Sequence, residues 1–254
     1  MGAGAVGSVL GAAFADKGHS VTFVDHGSRL AELRRNGLRV VGLDGQVTIA
    51  RNGNFVESEG LRGHFDIVLL AVKAHQISAL APTLSRLLEP GTSLLTLQNG
   101  IPWWYFQGCE GVYSGTTLRS LDPDGALAAA VRPEHIIGTV VYPAAEVLDD
   151  GTVRHIEGDR FVLGGISGDT VDRVEKLAAL ISEVGFRGQV QPDIRAEIWL
   201  KSWGSLAFNT VSALTRSTMA GICRDPETKS LARDLMLETC LLYTSDAADD
   251  SALV

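Results

Sequence analysis

The sequence predicts an α/β protein: a doubly wound parallel sheet followed by a partial all-helical region. Three observations predict it. A glycine-rich turn, Gly2-Ala3-Gly4-Ala5-Val6-Gly7, opens directly onto a helical pattern. Short apolar runs then alternate with helical periods as far as residue 191, the order that βαβ units leave in a sequence. From Asp193 onward the pattern is helical alone.

Each element follows from its residues. A turn of this kind normally leaves a buried strand, so most of a first strand is expected upstream of Met1, with the chain starting late. Val6, Val9, Leu10, Ala13 and Phe14 recur at helical spacing and stop at Lys17-Gly18, a basic last turn followed by glycine. Residues 20–25 form a short β-rich strand, and Ser28 is expected to cap a helix through Leu30 and Leu33 to Asn36-Gly37. Asp44-Gly45, between residues 38–43 and 46–50, signals a hairpin. Residues 66–72 are the continuous apolar strand a parallel sheet requires. A helix at 78–88 and a strand at 93–97 follow, then strands at 136–142, 152–156 and 160–163. Val171, Val174, Leu177, Leu180 and Ile181 give a helix over 169–184, and 188–191 is an extended connector. The reading is a Rossmann-type dinucleotide-binding domain over 1–190 and the start of a helical substrate or dimerisation domain over 191–239. Residues 240–254 form a tail. Its run from Cys240 to Asp250 resembles one reading frame of a sequencing-library adapter, so it is read as non-native.

Composition removes several classes of function. With 254 residues, 45% hydrophobic and 20% charged, the chain can bury a core without disulfides or a structural metal. A net charge of −8 argues against a nucleic-acid partner. Cys109, Cys223 and Cys240 have no metal-ligand spacing, nor do the six histidines, so no metal is expected. No apolar window reaches ~18 residues, and no signal peptide is evident. A cytoplasmic protein with no membrane partner is expected.

Three groups of residues carry chemistry. Gly2, Gly4 and Gly7 fit G-x-G-x-x-G, in which backbone N–H groups and a helix dipole receive a pyrophosphate. Asp25, ending the second strand at about the expected ~20-residue separation, suits the ribose hydroxyls and favours NAD. His26, Arg29, Arg34 and Arg35 lie just beyond, where an arginine could instead hold the 2′-phosphate of NADP. Lys73 and Asn99 end two strands and so point at one crevice. Lys201, Ser205, Asn209 and Ser212 fall at steps of four, four and three along one helix face, among Trp199, Leu200, Leu206 and Phe208. A partly buried lysine of this kind can act as a proton donor.

Together these residues resemble the ketopantoate reductase family. The resemblance runs from Gly2 to about Thr239. It rests on the opening turn, Ala71-Val72-Lys73-Ala74, Gln98-Asn99-Gly100, and Glu197-Ile198-Trp199-Leu200-Lys201 leading to Asn209. It implies reduction of 2-dehydropantoate (ketopantoate) to pantoate, a step toward pantothenate. Residues Gly2, Ala3, Gly4, Ala5, Val6 and Gly7 would hold the cofactor, with Asp25, Lys73, Asn99 and Ala144 as further contacts. Lys201 would be the proton donor, and Asn209, Ser205 and Asn99 would bind substrate. The implied cofactor is NADP, with NAD admitted by Asp25. The partners are a small 2-keto acid and, in the complete protein, a second copy. Ser205 stands where the family pattern has asparagine. The aromatic stretch at 102–106 is read either as a lid or as a hydrophobic contact. A reductase of another branched 2-keto or 2-hydroxy acid and a non-catalytic NAD(P) sensor are the alternatives.

Overall fold

The structure is a computed structural model that describes residues 1–51 and 53–244. It contains two compact units, Met1–Gln98 with Pro102–Ile194, and Asn99–Ile101 with the chain from Arg195 onward.

In the first unit, helix α1 (Ala5–Asp16) follows the glycine turn and leads to strand β1 (Thr22–Val24). Helix α2 (Gly27–Asn36) feeds the hairpin of β2 (Leu38–Val41) and β3 (Val47–Ala50). Asp44 Oδ1 accepts the Gln46 N–H at 2.9 Å and fixes that turn. Next come β4 (Asn54–Val56), β5 (Ile67–Leu70), α3 (Ala81–Leu87) and β6 (Ser93–Thr96). After the short α4 (Ala126–Ala130) follow β7 (Ile136–Val141), β8 (Ala144–Val147), β9 (Val153–Glu157) and β10 (Arg160–Gly165). Helix α5 (Val171–Glu183) and β11 (Arg187–Val190) complete the unit.

The main sheet has the order β11-β10-β7-β6-β5. Strands β5, β6 and β7 are parallel, but β10 is antiparallel to β7. The parallel sheet of β5, β6 and β7 is therefore extended by β10 and β11, which run antiparallel to it. The reason lies in the connection: a β8–β9 hairpin joins β7 to β10 where a parallel return would need a helical crossover. A second sheet, β3-β2-β9-β8, stands apart from the first. Helix α1 is packed on both sides. Leu10 and Phe14 join Leu95, Ile137, Phe161 and Leu177 in one core. Val9 and Ala12 join Phe23, Leu30, Leu33 and Leu38 in the other. Each such side chain contributes ~1.5–3 kcal/mol on burial, and this holds the helix start rigidly against the strand ends.

Three expectations change. Ser28 is not the cap of α2: His26 is, in extended conformation, with its own N–H on Asp25 Oδ1. The aromatic stretch is not a lid. Trp103 and Trp104 are buried, and Trp104 Nε1 donates to Thr96 Oγ1 at 3.0 Å, so the pair packs beside β6. The 188–191 connector is a true strand, parallel to β10. Strands β4 and β8 carry no readable signal, being three and four residues long with no alternation.

The glycine turn stitches two sheets together. Strand β1 pairs only with β4, and β5 is the edge of the main sheet. Met1 lies between them: its N-terminus donates to Leu69 O at 2.6 Å and its carbonyl accepts from Ala71 N at 2.8 Å. On the other side, Gly2 and Ala3 donate to Val24 O. Beyond Met1 the two strands face each other across a cavity of about 310 Å³, lined by Thr22, Val24, Ile67, Leu69, Phe14 and Leu180 among others.

In the second unit, α6 (Ile194–Gly204) passes into a π-helical turn, Ser205–Asn209, and then α7 (Thr210–Thr215). Helix α8 (Met219–Arg224) is capped by Thr218, whose hydroxyl accepts the Gly221 N–H. Helix α9 (Pro226–Thr244) packs back through Ala232 on Ala207, Val211 and Ile222. It runs unbroken past Cys240. The rest of the tail read as non-native, residues 245–254, lies outside the described residues. Among the described residues no helix is long and apolar enough to cross a membrane.

Candidate dinucleotide-binding and proton-donor residues

Of the dinucleotide candidates, Gly2, Gly7 and Asp25 lie together: Gly2 and Ala3 donate to Val24 O, one residue before Asp25. Gly2 has φ +87°, and a Cβ there would come within 2.8 Å of Val72 Cγ1. At Gly7 a Cβ would come within 2.4 Å of Gly2 O and 2.8 Å of the Ala71 methyl. These two glycines let the turn close and let α1 press against the end of β5. Gly4 differs, since a Cβ there meets nothing within 4 Å. It is the N-cap of a 12-residue helix, without a side-chain cap and without an acidic residue in the first turn. The first N–H groups of that helix have no intrahelical acceptors, and open space lies in front of them. That is the cradle a pyrophosphate requires. Ser8 Oγ ties the helix to the turn by donating to Ala3 O at 2.9 Å.

Asp25 directly follows Val24, whose carbonyl holds Gly2 and Ala3. The Asp25 N–H is itself bonded to Val56 O at 3.2 Å. Its carboxylate therefore stands one residue from the turn, as ribose recognition needs. Lys73 is exposed just after β5, at the N-cap of a single 3-10 turn, and its N–H donates to Gln76 Oε1. Gln98 has a role that the sequence did not disclose. Its Nε2 donates to Leu70 O at 2.6 Å and Val72 O at 2.9 Å, so it clamps the loop that carries Lys73. Ala144 opens β8, in the second sheet, at a bulge in the β8–β9 pairing. Asn99 belongs to the second unit.

Lys201 lies half-buried on α6. Four α-helical residues overshoot a full turn by about 40°, whereas four residues of an i→i+5 turn fall short of one. The steps from Lys201 to Ser205 and from Ser205 to Asn209 straddle the π-turn, so the two deviations oppose each other and Asn209 stays in line with Lys201. Ser212 leaves the expected stripe: its hydroxyl donates to Ser217 O at 2.5 Å. Glu197, one turn before Lys201, is only 7% exposed. A buried carboxylate at i−4 is the favoured orientation relative to a lysine. No cluster of metal-ligating side chains occurs among the described residues.

Replacing Gly7 with valine is expected to abolish dinucleotide binding and lower the melting temperature, because the branched side chain would collide with backbone. Calorimetric titration and a thermal melt check both. Unchanged affinity would remove the turn from the site.

A glycine turn opening onto a helix, with a carboxylate directly after the strand that follows, is the pattern of a dinucleotide-binding domain. Comparison with known proteins gives the family. The family model described as "Ketopantoate reductase PanE/ApbA" matches residues 1–168, and its C-terminal counterpart matches 193–251. A 2-dehydropantoate 2-reductase of Mesorhizobium japonicum is 44% identical over 239 residues, covering 94% of this chain and 73% of its own. A crystal structure from Ralstonia solanacearum, assigned as a ketopantoate reductase, superposes with TM-score 0.86 at 33% identity, over 94% of this chain and 73% of that one. The 2-dehydropantoate 2-reductase of Geobacter metallireducens superposes with TM-score 0.77 at 28% identity, over 94% and 72%. The chain belongs to the ketopantoate reductase family and is an NAD(P)-dependent oxidoreductase.

Proposed function

We propose that the protein reduces 2-dehydropantoate to pantoate, in the cytoplasm, with a reduced nicotinamide dinucleotide. The observation that carries the reading is the 44% identity to a 2-dehydropantoate 2-reductase across 94% of the chain. The family resemblance implies NADPH as the donor, and Asp25 admits NADH. When bound, the dinucleotide supplies a hydride to the ketone carbon at C2.

The chain's own residues do the rest. The N–H groups at the start of α1 bind the pyrophosphate, and Gly4 lets it approach. Lys73 and Ala144 are further dinucleotide contacts. The Lys201 ammonium donates a hydrogen bond to the C2 carbonyl oxygen and draws electron density from the carbon. It then transfers its proton to that oxygen as negative charge develops, and the lysine is left neutral until it recovers a proton from solvent. Asn209, Ser205 and Asn99 hold the hydroxyl and carboxylate groups so that the carbonyl keeps one orientation. A serine at 205 reaches less far than an amide, so the site tolerates a bulkier or differently branched acid there.

The test is dinucleotide oxidation followed at 340 nm with 2-dehydropantoate and, separately, with other branched 2-keto acids. Turnover highest with 2-dehydropantoate is expected. Faster turnover of another acid would move the assignment within the family. Dinucleotide binding without turnover of any acid would make the protein a sensor and overturn the reading.

A further inference from the structure

We infer that this chain reads the adenosine ribose as a free 2′,3′-diol, and so binds NADH in preference to NADPH. The inference rests on the reading of the Gly2–Gly7 turn as the dinucleotide site. It turns on what the cations near Asp25 are doing.

Asp25 is half-buried, and its backbone and one carboxylate oxygen are both fixed. The N–H is on Val56 O, and Oδ1 accepts the His26 N–H at 2.8 Å. Oδ2 accepts no hydrogen bond among the described residues and is available to a ribose hydroxyl. A 2′-phosphate at that place would bring a dianion against a carboxylate, and only a nearby cation could compensate.

None is free to do so. Arg29 Nη1 donates to Glu32 Oε2 at 3.1 Å and to Gly151 O at 2.8 Å. Its Nε and Nη2 are buried without a partner among the described residues, so the guanidinium is enclosed by protein and turned toward the β8–β9 turn. Arg34 Nε is held by Phe55 O at 3.0 Å. Arg35 is exposed in the last turn of α2, roughly 12 Å along the helix from its start. Lys73 follows β5, on the far side of the glycine turn from β1, which is about two strand spacings or ~10 Å away. His26 is the remaining candidate, and an imidazole lacks the fork that grips a phosphate. Arg29 and Arg34 are tied to backbone carbonyls and Arg35 lies a helix length away, while the Met1 ammonium that feels the Asp25 charge is itself held on Leu69 O.

The experiment is calorimetric titration of the whole chain with NADH and NADPH at fixed pH and salt, repeated with ADP and 2′,5′-ADP. NADH is expected to bind at least about tenfold tighter than NADPH. Asp25→Asn keeps the acceptor for the His26 N–H and removes the charge, so the preference should shrink several-fold by a gain in NADPH affinity. Asp25→Ala with His26→Arg should reverse it. Circular dichroism melts confirm that each variant folds. Equal affinities in the parent, tighter NADPH, or a ratio that Asp25→Asn leaves unmoved would overturn the inference. If neither dinucleotide binds, or if Gly7→Val leaves both affinities intact, the reading of the turn itself falls as well.

Discussion

Replacing Lys201 with alanine is expected to lower the rate of keto-acid reduction by about 10³-fold and to leave dinucleotide affinity unchanged. The magnitude is that of a positioned general acid, ~10²–10⁴-fold. The separation of effects is expected because the lysine would donate to the keto oxygen, whereas the pyrophosphate would be held by backbone N–H groups at the start of α1. Lys201→Arg keeps a cation but not a transferable proton, because a guanidinium does not deprotonate in the working range. It is expected to restore substrate affinity better than rate. Glu197 lies one helical turn before Lys201 and is buried, and Glu197→Gln tests whether it acts on the lysine: a lower kcat with a shifted pH profile and little change in KM is expected. Steady-state rates with calorimetry alongside check the set. Parent-like turnover in Lys201→Ala would remove the lysine from the chemistry.

Adding four β-branched residues in front of Met1 is expected to raise the melting temperature by roughly 6–12 °C. The edges of β1 and β5 face each other across the 310 Å³ cavity, and Met1 already bridges them at one end. A parallel strand placed there would pair on both sides and bury its side chains beneath α1. At ~1.5–3 kcal/mol per apolar side chain, set against ~1.5 kcal/mol of ordering per residue, the gain is about 3 kcal/mol. A protein of this size converts that at ~2–4 °C per kcal/mol.

The same extension is expected to change the response to pH. Burial lowers the Met1 ammonium from 8.0 to about 6, with the Asp25 charge opposing part of the shift. The folded state therefore prefers the neutral amine, while the unfolded state takes up a proton below about pH 8. Stability is full above pH 8 and falls as pH drops toward 6, by about 2–3 kcal/mol for a shift of two pH units. In the extended chain that nitrogen is an amide, so this slope disappears. Melts at pH 6 and pH 8 on both chains test it. An extension containing proline, which cannot donate to the ladder, should give little gain. Equal melting temperatures for the parent and the β-branched extension would show that the cavity does not accept a strand.

Legibility in the sequence followed local physics. The glycine turn, α1 with its Lys17-Gly18 stop, the Asp44-Gly45 hairpin and the apolar strands β5 and β6 are each specified by nearby residues, and each stands where the pattern puts it. What stayed hidden depends on partners distant in sequence. The β4 strand exists because β1 offers it a parallel edge. The aromatic stretch reads equally as a lid or as a hydrophobic contact until Thr96 supplies an acceptor and β6 a surface for Trp104. Gln98 is one more polar residue after a strand until its amide is seen spanning two carbonyls of the neighbouring strand end. The stripe of Lys201, Ser205 and Asn209 was visible as a spacing, but the π-turn that brings them into line was not. Periodicity assumes one turn length throughout.

Residue type and spacing alone were enough for the class of fold, and they placed the glycine turn and the lysine stripe as candidates. Those depend on residue type at short range: glycine where a Cβ would strike backbone, a carboxylate at a strand end, a helical repeat around one amine. Only the tertiary structure decided what the charges near Asp25 are for. Arg29, Arg34 and Asp25 carry the same formal charges on paper whether they serve a ligand or the fold. Gly151 lies 122 residues from Arg29 and Phe55 lies 21 from Arg34. Contacts at that separation, and the desolvation that accompanies them, exist only once the chain has packed.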